Sequence, residues 1–457
     1  MGFALSVLYL VTNCLTAPVL FGPLAAYRIE LILAALILFV SLPKLAGSGV
    51  MKTPQSLAML GLMLATFMSV LVGEHWASGA VGTLVGFIPT LYAYFLIPLH
   101  INSKRKLQIL VFMLLFVCLF VIAHGWFDLQ YGVGGGAGTD DSYLWDLEHP
   151  YLLPFGNGTG EMFYRLKGQG FLNDPNDFGQ LVVCVIPLVF IFWRKGYLLQ
   201  NLFVLLSVCV LFYGVYLTHS RGALLALVAM AVAAGRRRIG TIPALLLGGV
   251  LFVAAMALNF TGGRAISAGS GSDRTVLWGE SMQLLRSHPL FGVGAGTLPD
   301  YLGLTAHNSV MVCAAELGLF GLYFWSLFLF STARDALEIA SPAKVSEGEQ
   351  ITSEEIPFPH AIGKIETIGK AEVNQLGRLL SLSLVGYLVT GWFLSRAFAI
   401  TFFLLGGMAE VVYEMALQRG MIAPRLPLTR ATLYAGGLTI ALILLMYVML
   451  RTVNLMH

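Results

Sequence analysis

The stretch KRKLQILVFMLLFVCLFVIAH, residues 104–124, sets Lys104, Arg105 and Lys106 directly before an apolar run interrupted only by Gln108. A helix built from 107–124 is hydrophobic all round, so it has no face for water. Apolar runs of ~17 to 25 residues are long enough to cross a bilayer as helices. The rest of the chain repeats the pattern. Its 457 residues are 57% hydrophobic and only 11% charged, far from the balance of a soluble globular domain. The reading is an all-α polytopic membrane protein with about 12–13 transmembrane helices, at 4–22, 29–43, 56–73, 81–99, 107–124, 177–193, 199–217, 221–235, 241–258, 309–331, 379–395, 397–416 and 432–450. The N-terminus lacks a basic segment and a cleavage site and reads as the first span, not a removed signal.

Basic residues near span ends are retained on the cytoplasmic side. Lys44 with Lys52, the 104–106 cluster, Arg194-Lys195, Arg236–Arg238, and Arg419, Arg425 and Arg430 all fall on one side of this span list. That side is therefore inside. Segments 125–176 and 259–308 become long outer, periplasmic loops of a bacterial inner membrane protein, and 332–376 becomes a cytoplasmic insert of mixed charge. The expected organisation is N-terminal spans to 124, central spans at 177–258, a single span at 309–331 and C-terminal spans at 377–457. The net charge of +3, without a long basic run, argues against nucleic acid as a partner. Membrane lipids are the expected surroundings. Cys14, Cys118, Cys184, Cys209 and Cys313 lie singly in apolar segments, without metal-ligand spacing, and read as space-filling thiols.

Polar residues at the outer span ends carry the chemistry. YLTHSRGALL places Ser220 and Arg221 at the outer mouth of two closely connected helices. A guanidinium there either marks an anion site or snorkels to lipid headgroups. In the second outer loop, TVLWGESMQLLRSH spaces Val276, Leu277, Met282, Leu284 and Leu285 as an amphipathic helix lying on the membrane face. Arg274 stands just ahead of it, placed either to hold phosphate oxygens or to pair with Asp273. An imidazole, with an unperturbed pKa of ~6.5, suits proton removal from a hydroxyl, and His307 supplies one, although a lone interfacial histidine is usually structural. Asn308 is placed to orient the ring or a substrate. In FLNDPND, Asp174 and Asp177 are rival carboxylates, equally explained as turn and helix caps, with Asn176 or Asp177 capping the sixth span; Asn176 is also a candidate sugar contact. Arg165 and Lys167 read chiefly as a solvated loop face, otherwise as guides for an anionic donor.

Together FLNDPNDFGQ, THSRGALL, DRTVLWGESMQLLRSHPLFGVGAG and AHNS, within about 165–330, resemble the O-antigen ligase and polysaccharide polymerase superfamily. GYLVTGWFLSRAFA near the C-terminus is similar to the exosortase-associated O-glycosylation ligases. The resemblance implies a GT-C-like glycosyltransferase with long periplasmic loops, moving a glycan from undecaprenyl diphosphate to a lipid, glycan or protein acceptor. It implies that Arg221 and Arg274 hold the diphosphate and His307 acts on the acceptor hydroxyl; the chemistry then calls for inversion at the anomeric carbon and, since a lipid diphosphate is already a good leaving group, for no metal or other cofactor. A polymerase extending its own lipid-linked glycan is the alternative of the same chemistry. A transporter or flippase for an anionic solute is the alternative of another class, and it calls for internal symmetry and helices broken at the midplane; the sequence shows no repeat.

Overall fold

A computed structural model describes residues 1–16, 27–132, 149–156, 162–260, 268–341 and 369–452. The chain runs through α1 (Gly2–Leu15), α2 (Ile29–Gly47), α3 (Pro54–Met68, prolonged by a π-helical turn at Ser69–Gly73), α4 (Ala77–His100) and α5 (Lys104–Tyr131). Strands β1 (Leu152–Gly156) and β2 (Met162–Leu166) follow, then α6 (Pro175–Val189), α7 (Leu198–Thr218), α8 (Arg221–Ile239) and α9 (Thr241–Ala257). The remaining helices are α10 (Ala268–Ser287), α11 (Leu298–Leu302), α12 (Ser309–Ala340), α13 (Lys370–Gly391), α14 (Ile400–Leu417) and α15 (Leu428–Thr452). Each predicted span overlaps a helix, the first over 4–15, since 17–22 fall outside the described residues. Among the described residues, eight helices are long and apolar enough to cross a membrane, and Gly2–Leu15 and Thr241–Ala257 are shorter apolar ones. This is the all-α architecture of a multi-pass membrane protein.

Differences from the sequence reading lie at the ends of elements. Helix α5 continues past 124 to Tyr131, and the first outer loop contains an antiparallel hairpin, with Leu153 opposite Arg165 and Phe155 opposite Phe163. Helix α12 continues past 331 to Ala340, and α13 begins at Lys370, so helix occupies both ends of the insert expected at 332–376. Its middle, 342–368, is outside the described residues.

The chain forms two compact units. One comprises Met1–Leu42, Ser103–Ala265 and Arg378–Thr390. At its centre α6 packs on α5, α7 and α8 and is buried on every side through Val182, Val183, Cys184 and Val185. Short polar side chains tie it to α13: Gln180 Nε2 donates to Thr390 Oγ1 at 2.8 Å, and Ser383 Oγ donates to the Cys184 carbonyl at 2.7 Å. Such bonds join apolar helices where hydrophobic burial between them supplies little.

The other unit comprises Pro43–Asn102, Ile266–Gly377 and Gly391–His457, with α12 packed against α3, α10, α14 and α15. Gly318, at φ 64° and ψ −166°, breaks this helix. An interruption at membrane depth frees backbone groups that hydrocarbon cannot satisfy. The segment after α10 takes them up: Val293 N–H donates to the Ala315 carbonyl at 3.0 Å and Gly294 N–H to that of Glu316 at 3.2 Å. On the far side of the break, Leu319 N–H donates to the Pro289 carbonyl at 2.8 Å and Phe320 N–H to that of Leu290 at 3.1 Å. This helix is thus broken at Gly318, with the freed backbone groups bonded to protein.

Near the opposite end of α12, Asp335 Oδ2 accepts from Gln55 Nε2 at 2.8 Å and from Arg425 Nη2 at 3.1 Å. Burial opposes the Arg425 charge, but Asp335, Glu410 and Glu414 outweigh it and hold the guanidinium above its usual range. At 1.5 Å per residue, this network lies on the order of 40 Å along the helix from Asn308.

Candidate functional site

Helix α12 begins in a built turn. Asn308 is its N-cap, its Oδ1 accepting from Val310 N–H at 2.9 Å and Met311 N–H at 3.0 Å, while its Nδ2 donates to the Trp392 carbonyl at 3.1 Å. Buried, with Oδ1 accepting twice and Nδ2 donating once, Asn308 shapes the turn. His307, just before it, is half-buried and held at φ 49°, in the left-handed region. Its N–H donates to Ser395 Oγ at 2.8 Å, and Ser395 Oγ donates to Thr305 Oγ1 at 2.7 Å. Ser309 Oγ donates to the Leu394 carbonyl at 2.8 Å and accepts from Arg396 N–H at 3.2 Å. The connection from α13 to α14 therefore grips Thr305–Ser309 from one side.

Helix α10 meets the same turn. Trp278 Nε1 donates to the Ala306 carbonyl at 2.7 Å, and its ring lies edge-on to Trp392 at 6.2 Å between centroids. Leu277, Trp278, Ser281, Met282 and Leu285 face inward, whereas Val276 is exposed. The helix turns one face inward, displaced from the apolar stripe read in the sequence, and Trp278 is the inward residue that reading missed. Arg274 is half-buried and one helical turn before Trp278, on the same face. It lies inside α10 and not ahead of it, because the helix begins at Ala268; the first-turn amides belong to residues well before it. The alternative pairing with Asp273 falls on a side chain outside the described residues. Arg274 and His307 are thus carried by one unit, on elements joined by the Trp278–Ala306 bond.

In the other unit, three elements meet at the α7–α8 connection. Arg165 on β2 is only 4% exposed; its Nε donates to the Thr218 carbonyl at 2.9 Å and its Nη2 to Asn176 Oδ1 at 3.1 Å. Lys167 is 2% exposed. Neither belongs to a solvated loop face, since the hairpin folds them inward. Ser220 is the buried N-cap of α8, accepting from Ala223 N–H at 3.3 Å, and Arg221 is the first helical residue, half-buried. Asp174, rather than Asn176 or Asp177, caps α6, accepting from Asn176 N–H at 2.7 Å. The expected carboxylate rival is thereby occupied in forming a helix start, and Asp177 is buried. His149 Nδ1 lies 2.7 Å from Asp128 Oδ1, a pair the sequence reading passed over because it ended the α5 span before Asp128. Among the described residues no group of three or more His, Cys, Asp or Glu side chains forms a metal-ligand set.

Residues 202–326 match the family model described as O-antigen ligase. That segment, about a quarter of the chain, is similar to O-antigen ligases. The match suggests ligase- or polymerase-type glycan transfer for this multi-pass membrane protein. No curated protein matches it. The O-antigen ligase segment contains Ser220, Arg221, Arg274, His307 and Asn308, and leaves out Arg165, Asp174 and Asn176 as well as Ser395 and Arg396. Those last two, with Trp278 and Trp392, are residues of the His307 turn that sequence reasoning did not select. WFLSR was visible as a motif, but nothing in its spacing tied it to a turn 88 residues away.

Proposed function

We propose that the protein transfers a glycan from undecaprenyl diphosphate to an acceptor hydroxyl at the outer, periplasmic face of a bacterial inner membrane, joining a finished glycan to a different acceptor. One observation supports this most directly: His307 and Arg274 sit on elements bonded to each other, with the imidazole presented from a turn rigidly held on two sides. His307 removes the acceptor hydroxyl proton as its oxygen attacks the anomeric carbon. The bond from that carbon to the phosphate oxygen breaks, its electron pair leaves with undecaprenyl diphosphate, and configuration inverts. Arg274 stabilises the charge growing on the departing diphosphate. Arg221 is assigned the same task on grounds of sequence resemblance. Because the diphosphate is already a good leaving group, the reaction needs no metal or other cofactor, and a chelator leaves it unchanged.

The test is transfer by purified full-length protein in proteoliposomes, with donor and acceptor supplied. His307→Ala, Arg274→Ala and Arg221→Ala, each inserted normally, abolish transfer. Retained transfer by His307→Ala removes the proposed base. Chain lengthening with the lipid-linked glycan alone replaces the ligase reading with the polymerase one.

A further inference from the structure

The mechanism above leaves one charged residue of the His307 turn without a role. Arg396 is exposed and lies in the short connection between the end of α13 at Gly391 and the start of α14 at Ile400. Its backbone is fixed. The Arg396 N–H donates to Ser309 Oγ at 3.2 Å, and its neighbour Ser395 accepts the His307 N–H at 2.8 Å. The same connection contains Trp392, whose ring contacts Trp278, one helical turn beyond Arg274 on α10. A single stretch of chain therefore borders both the turn of the proposed base and the helix of the proposed phosphate ligand, all within one unit.

Charge and residue type add to this placement. Helix α14 leads from Arg396 to the basic group Arg419, Arg425 and Arg430, so Arg396 stands at the opposite end from the cluster read as cytoplasmic. An arginine in a short outer connection runs against the usual distribution of basic residues. Its planar fork matches phosphate oxygens better than a lysine ammonium does. We infer that Arg396 is a third guanidinium of the donor site, binding an oxygen of the lipid diphosphate alongside Arg274. The inference rests on the glycan-transfer reading above.

Full-length protein in lipid nanodiscs is titrated with undecaprenyl diphosphate and, in parallel, with undecaprenyl monophosphate, so that the shared prenyl chain cancels. Arg396→Gln weakens diphosphate binding by about ten-fold or more, as expected for one lost charge-assisted contact, and narrows the preference for diphosphate over monophosphate. Arg396→Lys falls between, since it keeps the charge without the fork. Undiminished diphosphate binding by Arg396→Gln beside weakened binding by Arg274→Gln overturns the role of Arg396 and leaves the transfer reading intact. Undiminished binding by both variants removes the diphosphate site and both readings with it. If Arg396→Gln fails to fold, Arg396→Lys decides: a wild-type preference for diphosphate overturns the inference.

Discussion

The His307 N–H donates to Ser395 Oγ at 2.8 Å, a contact between residues 88 positions apart in the chain. A residue with a Cβ in the left-handed region costs on the order of 1–3 kcal/mol, so the His307 backbone at φ 49° needs holding. Ser395→Ala removes the acceptor and the partner of Thr305 together. We expect turnover to fall by about ten-fold, as 1.4 kcal/mol of lost positioning implies, with undecaprenyl diphosphate binding unchanged. Ser395→Thr restores the hydroxyl and the rate. Steady-state kinetics on reconstituted protein check both.

Arg165 is used within the protein. Arg165→Met leaves the Thr218 carbonyl without its donor at the connection leading to Arg221, a loss of roughly 1–3 kcal/mol for a buried group left unpaired. Thermal unfolding of the full chain registers the loss, and the KM for donor rises as the connection loosens. Arg165→Lys recovers only part, because an ammonium does not reproduce the fork that spans Thr218 and Asn176.

Glycine substitution separates two positions that look alike in sequence. A Cβ at Gly318 would meet the Leu290 carbonyl oxygen at 2.4 Å, whereas one at Gly437 meets nothing within 4 Å. Gly318→Ala combines a steric clash with a disfavoured φ, and we expect failure to accumulate folded protein. Gly437→Ala expresses and unfolds as wild type does. Size-exclusion profiles of the two variants check the contrast.

Burial, and then the Asp300 carboxylate, raise the pKa of Glu74 from its ordinary value. The folded pKa exceeds the unfolded value of ~4.3, so ionisation opposes folding. Stability falls as pH rises from about 4 through the raised pKa, and it is level above that window. Glu74→Gln therefore has the higher thermal midpoint at neutral pH, and the difference vanishes below about pH 4. Equal midpoints across the whole range would contradict this.

Helices were legible wherever apolar composition alone decides them, as at 107–124 and 432–450. Their ends were less so: α5 and α12 extend through polar residues such as Asp128 and Asp335, which composition assigns to loops but which the structure pairs with His149 and Arg425. The hairpin was missed although NGTGE stands between Leu152–Gly156 and Met162–Leu166, a glycine-bearing turn signal between two short strands. His307, Arg221 and Arg274 stood out by residue type and position. Ser395 and Trp278 did not, because a serine or a tryptophan in an apolar context is ordinary until a distant carbonyl or amide is seen beside it.

The broken helix also dictates an order of assembly. Pro289, Leu290, Val293 and Gly294, which complete the backbone at Gly318, are all synthesised before it. When α12 leaves the ribosome, its complement is already part of the nascent chain, so the backbone at the break is satisfied as soon as the two segments meet. A circular permutant opened between 298 and 309 would reverse that timing.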